Sequence, residues 1–291
     1  MKERNVEGSK LKYVEGHELL IQREYRRAKK AFEDAIGMDP KNALAYSGKA
    51  NALFGMQEIE KAFKAMEKAL EIEPDNIEIL DVYGAYLYNL AKFQVALEVT
   101  EKLIKIDPEN PDYWHKKGTV LEALEKTEEA VAAYDKASTL DPTDVEIVKD
   151  KGTLLEQMGK LDESLVAFKQ ASVLAPQEPF FFDCQGQLLG RLGRFDEAIA
   201  AFELALKVSP EDEYAMNGKG ASLTKLGRFD EAIMIFDGLI AMNPKNAFSW
   251  DGKSYALRQM GLPEEAEKAH TEARRLWREE EKNAQGTFGT A

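Results

Sequence analysis

Cysteine is almost missing from this chain. Cys184 stands alone among 291 residues, so no internal disulfide can form, which fits a reducing compartment. Histidine is nearly as scarce: His17, His115 and His270 share no spacing that would set two metal ligands on one helix. No glycine-rich phosphate loop is present, because the glycines occur singly. Long apolar runs are absent too. Ala198–Val208 comes nearest and is interrupted by Glu203, far short of the roughly 18 residues of a membrane span. The opening MKERNVEGSK is charged and does not read as a secretory signal. Positive charge is in deficit, with a net charge of −13, which disfavours a phosphate backbone or an anionic lipid surface as partner. These absences point to a soluble, cytoplasmic protein with no cofactor, no metal, no nucleic acid and no membrane partner.

Proline is present in a pattern. Pro40, Pro74, Pro108, Pro142, Pro176, Pro210 and Pro244 are each 34 residues apart and account for seven of the ten prolines. Small residues recur in the same phase at Gly16, Ala50, Gly84, Gly118, Gly152, Gly186, Gly220 and Ser254. A second small series begins at Ala28 and ends at Ala266. Four residues after each member stands a larger one: Phe32, Met66, Thr100, Tyr134, Phe168, Phe202, Phe236 and His270. Within each period, apolar residues return at three and four, the helical spacing, along two segments. In the sixth period Phe182, Gly186 and Leu189 share one face, and Ala198, Phe202 and Ala205 another. Gly193 between them suits a positive φ that ends the first helix, as do Gly159, Gly227 and Gly261. Asp196, Asp162 and Asp230 are expected to cap the second helices. Asn42, Asn76, Asn110, Asp144, Asp212 and Asn246 are expected to cap the first helices, with Pro111 and Pro179 at a first helical position.

This period and phase resemble the tetratricopeptide repeat family, whose pattern runs Trp, Leu-Gly, Tyr, Ala, Phe, Pro over 34 residues. The resemblance covers about residues 9–280. It implies an all-α, right-handed superhelical solenoid of about eight helix-turn-helix repeats, at 9–42, 43–76, 77–110, 111–144, 145–178, 179–212, 213–246 and 247–280. Residues 1–8 read as a disordered tail, and 281–291 as a helix end followed by another. One repeat cannot bury its own faces, so stability is expected from stacking, with polar ends. The last repeat suits a cap, with His270 in the aromatic position and a charged helix beyond. The first is atypical, with Lys12 and Glu15 where Trp and Leu are usual. Trp114 and Trp250 fall on the family's packing tryptophan.

The resemblance also implies protein or peptide ligands on a concave groove lined by the first helices. Helical geometry puts these residues on the side opposite the packing positions: Ser47, Asn51 and Phe54; Asp81, Tyr88 and Asn89; His115, Thr119 and Glu122; Lys149 and Thr153; Asp183, Gln187 and Arg191; Tyr214, Asn217 and Lys225; Asp251, Tyr255 and Arg258. Along this face the middle, from Glu78 to Glu156, is acidic with Lys149 the exception, and Arg191, Lys225 and Arg258 follow. That order suits a ligand whose basic part meets repeats three to five and whose acidic part meets repeats six to eight. The basic clamp by which some members hold a C-terminal carboxylate is replaced by Tyr13, His17, Ser47, Asn51, Asp81 and Ala85. Cys184 and His115 lie two repeats apart, too far for a nucleophile–base pair at about 8–10 Å per packed helix. Glu128–Glu129 and Glu264–Glu265 open second helices, where they suit the helix dipole. No enzyme is read from this inventory. The leading expectation is a scaffold that holds a peptide or helix of a partner. The alternatives are a self-associating homo-oligomer and a non-catalytic accessory subunit.

Overall fold

The computed structural model describes the backbone of residues 2–287 and the side chains of residues 5–282. Among them there are sixteen helices and no strand, in two compact units. The first unit, Met1–Asp141, holds α1 (Lys2–Ile21), α2 (Tyr25–Met38), α3 (Ala43–Gly55), α4 (Ile59–Ile72), α5 (Ile77–Asn89), α6 (Phe93–Ile106), α7 (Pro111–Ala123) and α8 (Thr127–Leu140). The second, Pro142–Ala291, holds α9 (Val145–Gln157), α10 (Leu161–Leu174), α11 (Pro179–Arg191), α12 (Phe195–Val208), α13 (Glu213–Lys225), α14 (Phe229–Met242), α15 (Ala247–Gln259) and α16 (Pro263–Thr287). Each odd helix packs on the even helix that follows it. Within a unit each pair also stacks on the next, as in α2 on α3 and α12 on α13.

The helix starts are written in the side chains. Asn42 accepts from the Ala45 N–H, Asn76 from Ile79 and Asn110 from Asp112, while Asp144, Asp212 and Asn246 each accept from two N–H groups. Pro111 and Pro179 open α7 and α11. The turn inside each pair has one geometry throughout. After α11, the Arg194 N–H donates to Leu189 O at 2.9 Å and Gly193 N–H to Gly190 O at 3.1 Å, with Gly193 at φ +75°. Gly159, Gly227 and Gly261 do the same at +76°, +77° and +84°. In the first unit Arg23, Gln57, Ala91 and Glu125 hold the equivalent place at +58°, +64°, +54° and +60°. A side chain there is strained by roughly 1–2 kcal/mol.

Two expectations are corrected. Asp162, Asp196 and Asp230 do not cap the second helices. The tight turn leaves no spare residue, so the N-cap positions fall on Lys160, Arg194 and Arg228, whose side chains accept no capping bond. The acids lie inside the first turn, where they meet the positive end of the helix dipole. Residues 2–8 of the expected tail are helical, because α1 begins at Lys2. Ser9 anchors it: its buried hydroxyl donates to Ala35 O at 2.8 Å and accepts from Asn42 Nδ2 at 2.9 Å. At the other end α16 continues to Thr287, helped by Arg275 reaching Glu272 and Glu279 one turn either way. Of the helix end and tail expected over 281–291, residues 281–287 are helical and 288–291 lie outside the described residues.

Aromatic rings seated between glycines make the stacking close. Phe202 from α12 fills the space where a Cβ on Gly186 would sit, 2.7 Å from that position, and it blocks Gly218 of the next pair more closely still. Phe32 stands in the same way between Gly16 and Gly48, and Phe236 between Gly220 and Gly252. Each ring reaches its own first helix and the next, so it belongs to two pairs at once. Removing one would cost about 3–5 kcal/mol, the range for a buried phenylalanine cut to alanine. Trp114 and Trp250 are half-buried, and their indole N–H groups donate to Pro108 O and Pro244 O at 2.8 and 3.0 Å, tying the loop proline to the following helix.

Candidate functional site

The expected binding residues all lie on the odd helices. In the first unit many of them are engaged by neighbouring side chains. Asn51 accepts from the Tyr86 hydroxyl, and the Phe54 ring stacks on Tyr86 at 4.3 Å between centroids. Phe54 therefore joins the packing instead of standing out as an anchor. Ser47 is buried, because α3 is flanked by both α1 and α5. Asp81 is paired with Lys116 of the next repeat. Tyr13 of α1 donates to Glu78 of α5 at 3.1 Å, and burial with the Glu78 charge pushes its phenol up to about 12. Thr119 and Glu122 both accept from the Tyr134 hydroxyl, while His115 packs its ring on Tyr134 at 5.6 Å. Tyr88 and Asn89 remain exposed at the end of α5.

The second unit is different. Between α11 and α13 lies an open cleft of about 420 Å³, lined by Gly186, Gln187, Gly190, Arg191, Phe195, Phe202, Tyr214, Asn217, Gly218, Ala221, Ser222 and Lys225. Five of the expected residues meet there: Gln187, Arg191, Tyr214, Asn217 and Lys225. The cleft exists because Gly186, Gly190, Gly218 and Ala221 put almost no side chain into it, leaving the Phe202 and Phe195 rings as an apolar floor. Tyr214 is 53% exposed at its rim. The Asn217 side chain donates to Glu213 O at 2.7 Å.

Three of the expected cations in this unit, Lys149, Arg191 and Lys225, contact neighbouring side chains. Arg191 pairs with Glu156 of α9 at 2.6 Å. Lys225 lies 3.3 Å from the Tyr255 hydroxyl and 5.2 Å from the centre of its ring. Asp251 faces the His270 ring nitrogen at 3.3 Å, and Arg258 is exposed at the end of α15. Lys149 pairs with Glu146 and contacts Asp150, while Thr153 turns back to donate to Lys149 O at 3.0 Å. Ion pairs to neighbours thus engage Asp81, Lys149 and Arg191 along the acidic middle and basic end that the sequence shows.

Asp183 is the exception. It is 7% exposed, and its Oδ1 is buried with no hydrogen-bond partner. Burial, then the charge of Asp212, pushes its carboxyl up to about 7. Its neighbour Cys184 is buried among the α11 packing, and its thiol is pushed up to about 12 by burial and by Glu156 and Asp183. Among the described residues no group of three His, Cys, Asp or Glu side chains is gathered as metal ligands. No helix there is long and apolar enough to cross a membrane.

Stacked helical hairpins with a left-handed residue in every internal turn define an all-α solenoid repeat protein. Three tetratricopeptide repeat models match residues 185–247, 19–86 and 111–144, together more than half of the chain, which belongs to that family. No curated protein matches it in sequence. Among solved structures, YrrB is described as a TPR protein with an unusual peptide-binding site. It is 26% identical, covering 66% of this chain and 98% of its own, with a TM-score of 0.54. PilF of Pseudomonas aeruginosa is 18% identical, covering 72% of this chain and 96% of its own, with a TM-score of 0.58. PilW, described as a widely conserved type IV pilus biogenesis factor, is 22% identical over 71% and 96%, with a TM-score of 0.57. The last two show a shared fold and nothing more.

Proposed function

We propose that this protein is a non-catalytic interaction scaffold that holds a segment of a partner protein against the odd-helix face of its second unit. The observation that carries the reading is the α11/α13 cleft, an apolar floor rimmed by Gln187, Arg191, Tyr214, Asn217 and Lys225. Apolar walls with a few convergent polar groups are what ligand sites share. An exposed tyrosine at the rim is the type of side chain that dominates protein interfaces. The likeness to YrrB, described as having a peptide-binding site, supports a peptide as occupant.

The test is affinity capture from an extract of the source cells, comparing the native chain with Tyr214→Ala/Asn217→Ala/Lys225→Ala. A protein retained by the native chain and lost by the triple variant supports the reading. Equal retention by both moves the function to another surface. A second reading, self-association, has one observation behind it: α1 exposes Leu11, Val14 and Ile21, the last 73% open to solvent. Recovery of only the protein itself, with a mass that rises with concentration, would favour that reading.

A further inference from the structure

A second cleft lies in the first unit and shares no residue with the α11/α13 cleft. There α2, α3 and α4 border an open space of about 470 Å³. Five of the nine residues lining it are lysines: Lys29 from α2, Lys49 from α3, and Lys61, Lys64 and Lys68 from α4. Glu33 is the one carboxylate in the lining. This concentration of positive charge runs against the balance of a chain whose net charge is −13.

The other repeats show what these positions otherwise hold. Shifted by whole 34-residue periods, Lys29 falls on Phe63, Leu97, Val131, Leu165, Ile199 and Ile233, all buried or half-buried. In the first repeat a lysine replaces that apolar filler. Lys61 falls on Val95 and then on Glu129, Glu163, Glu197, Glu231 and Glu265. Lys64 falls on Glu98, Ala132, Val166, Ala200 and Met234, and a lysine returns only at Lys268. Lys49 has lysine counterparts at Lys117, Lys219 and Lys253, each paired with one acid: Glu101 at 2.9 Å, Glu203 at 2.8 Å and Asp237 at 2.5 Å. Glu33 instead lies 3.0 Å from Lys49 and 3.9 Å from Lys29. One carboxylate cannot neutralise two ammonium groups. Lys64 has no ion pair among the described residues. Lys61 and Lys68 reach Glu58 and Glu71, three residues away in exposed pairs of the kind that hold weakly.

We infer that this lysine cleft binds an acidic segment of a partner protein, rich in aspartate or glutamate, whose carboxylates meet Lys29, Lys49 and Lys64. The side chains of Lys29 and Lys49 are 31% and 28% exposed, so a carboxylate brought to them is screened less than on open surface. A nucleic acid gains affinity with each phosphate neutralised and needs a long track of cations. The track here is short, because the position of Lys61 becomes valine in the third repeat and glutamate from the fourth. The overall negative charge also opposes a polyanion. A short run of carboxylates is the anion that suits two repeats. The inference adds a surface to the proposed function and does not depend on it.

The experiment uses the full chain with a fluorescein-labelled peptide of Glu-Glu-Leu-Glu-Glu core, its Gln-Gln-Leu-Gln-Gln match and a labelled oligothymidylate, read by anisotropy. The native chain is expected to bind the glutamate peptide at least roughly tenfold more tightly than the glutamine match. Lys61→Glu/Lys64→Glu installs the side chains that Glu129 and Glu98 supply in other repeats, and should weaken that binding at least roughly tenfold. Lys29→Leu, which restores the filler of Leu97 and Leu165, should weaken it too and carries the test if the double variant does not fold. Lys207→Glu/Lys245→Glu makes the same change of net charge at exposed positions of the second unit and should leave binding nearly native. Equal loss in both glutamate variants would overturn the inference, as would unchanged binding in Lys29→Leu. No binding to the native chain, no preference for glutamate over glutamine, or tighter binding of the oligothymidylate than of the peptide would also overturn it. Glutamate-peptide binding lost in Tyr214→Ala/Asn217→Ala/Lys225→Ala but kept in Lys61→Glu/Lys64→Glu would overturn it and leave the α11/α13 cleft as the binding site.

Discussion

Replacing Asp183 by asparagine should change the pH dependence of stability in a direction opposite to the usual carboxylate. Its pKa rises from 3.8 to about 7 on folding, chiefly through burial. The folded state therefore holds a proton that the unfolded chain has already released. Stability from this group is complete below about pH 4, falls as pH rises through the folded pKa, and levels off above it. The full shift corresponds to about 4 kcal/mol. Only Oδ1 is sealed from solvent without a donor. Screening at the other oxygen reduces the expected penalty at neutral pH to about 1–2 kcal/mol. Asp183→Asn removes the penalty, so the variant should gain about 1–2 kcal/mol relative to the native chain between about pH 4.5 and pH 8. Urea unfolding of both proteins across that range, followed by circular dichroism, measures the gain. A difference between the two that does not change with pH would refute the reasoning.

Other expectations follow from the packing and the turns. Gly186→Leu must push Phe202 off two helices and should lose about 1–3 kcal/mol in urea unfolding, with part of the loss recovered by Phe202→Ala. Ala91→Gly and Glu125→Gly relieve a positive φ and should each raise stability by about 0.5–1 kcal/mol, whereas Gly193→Ala should lower it. Asn246→Ala removes two accepted N–H bonds and should cost about 1 kcal/mol; Asp196→Ala, which removes no cap, should cost clearly less. Thermal or urea melts of these variants check both claims.

The elements of the fold that could be read from sequence are those fixed within one repeat. The 34-residue proline spacing, the Asn and Asp caps and the glycines before the second helix are local constraints on φ or on a single N–H, so their residue types are specific. Asp196 misled because a cap and a first-turn acid differ by two residues in a turn whose length only the backbone reveals. The proposed binding face was legible as a list and not as a state. Helical geometry put Asn51, Phe54 and Asp81 on the side expected to meet a ligand. Their engagement by Tyr86 and Lys116 depends on the offset between neighbouring repeats, which no single repeat contains. A signal for the cleft was nonetheless present. Glycine follows Phe32, Phe202 and Phe236 by sixteen residues, at Gly48, Gly218 and Gly252. That pairing of a ring with a distant glycine marks where the odd-helix face loses its side chains.

The central claim is that a partner segment lies in the α11/α13 cleft of the second unit. The most direct measurement places a photo-crosslinking phenylalanine at Tyr214, the exposed aromatic at the cleft rim, and separately at Met234, an exposed position on α14. Each chain is then irradiated in source-cell extract. The account expects a crosslink from position 214 to a different protein, and none of that product from position 234. Crosslinks to the partner only from position 234, or from position 214 only to a second copy of this chain, would contradict it.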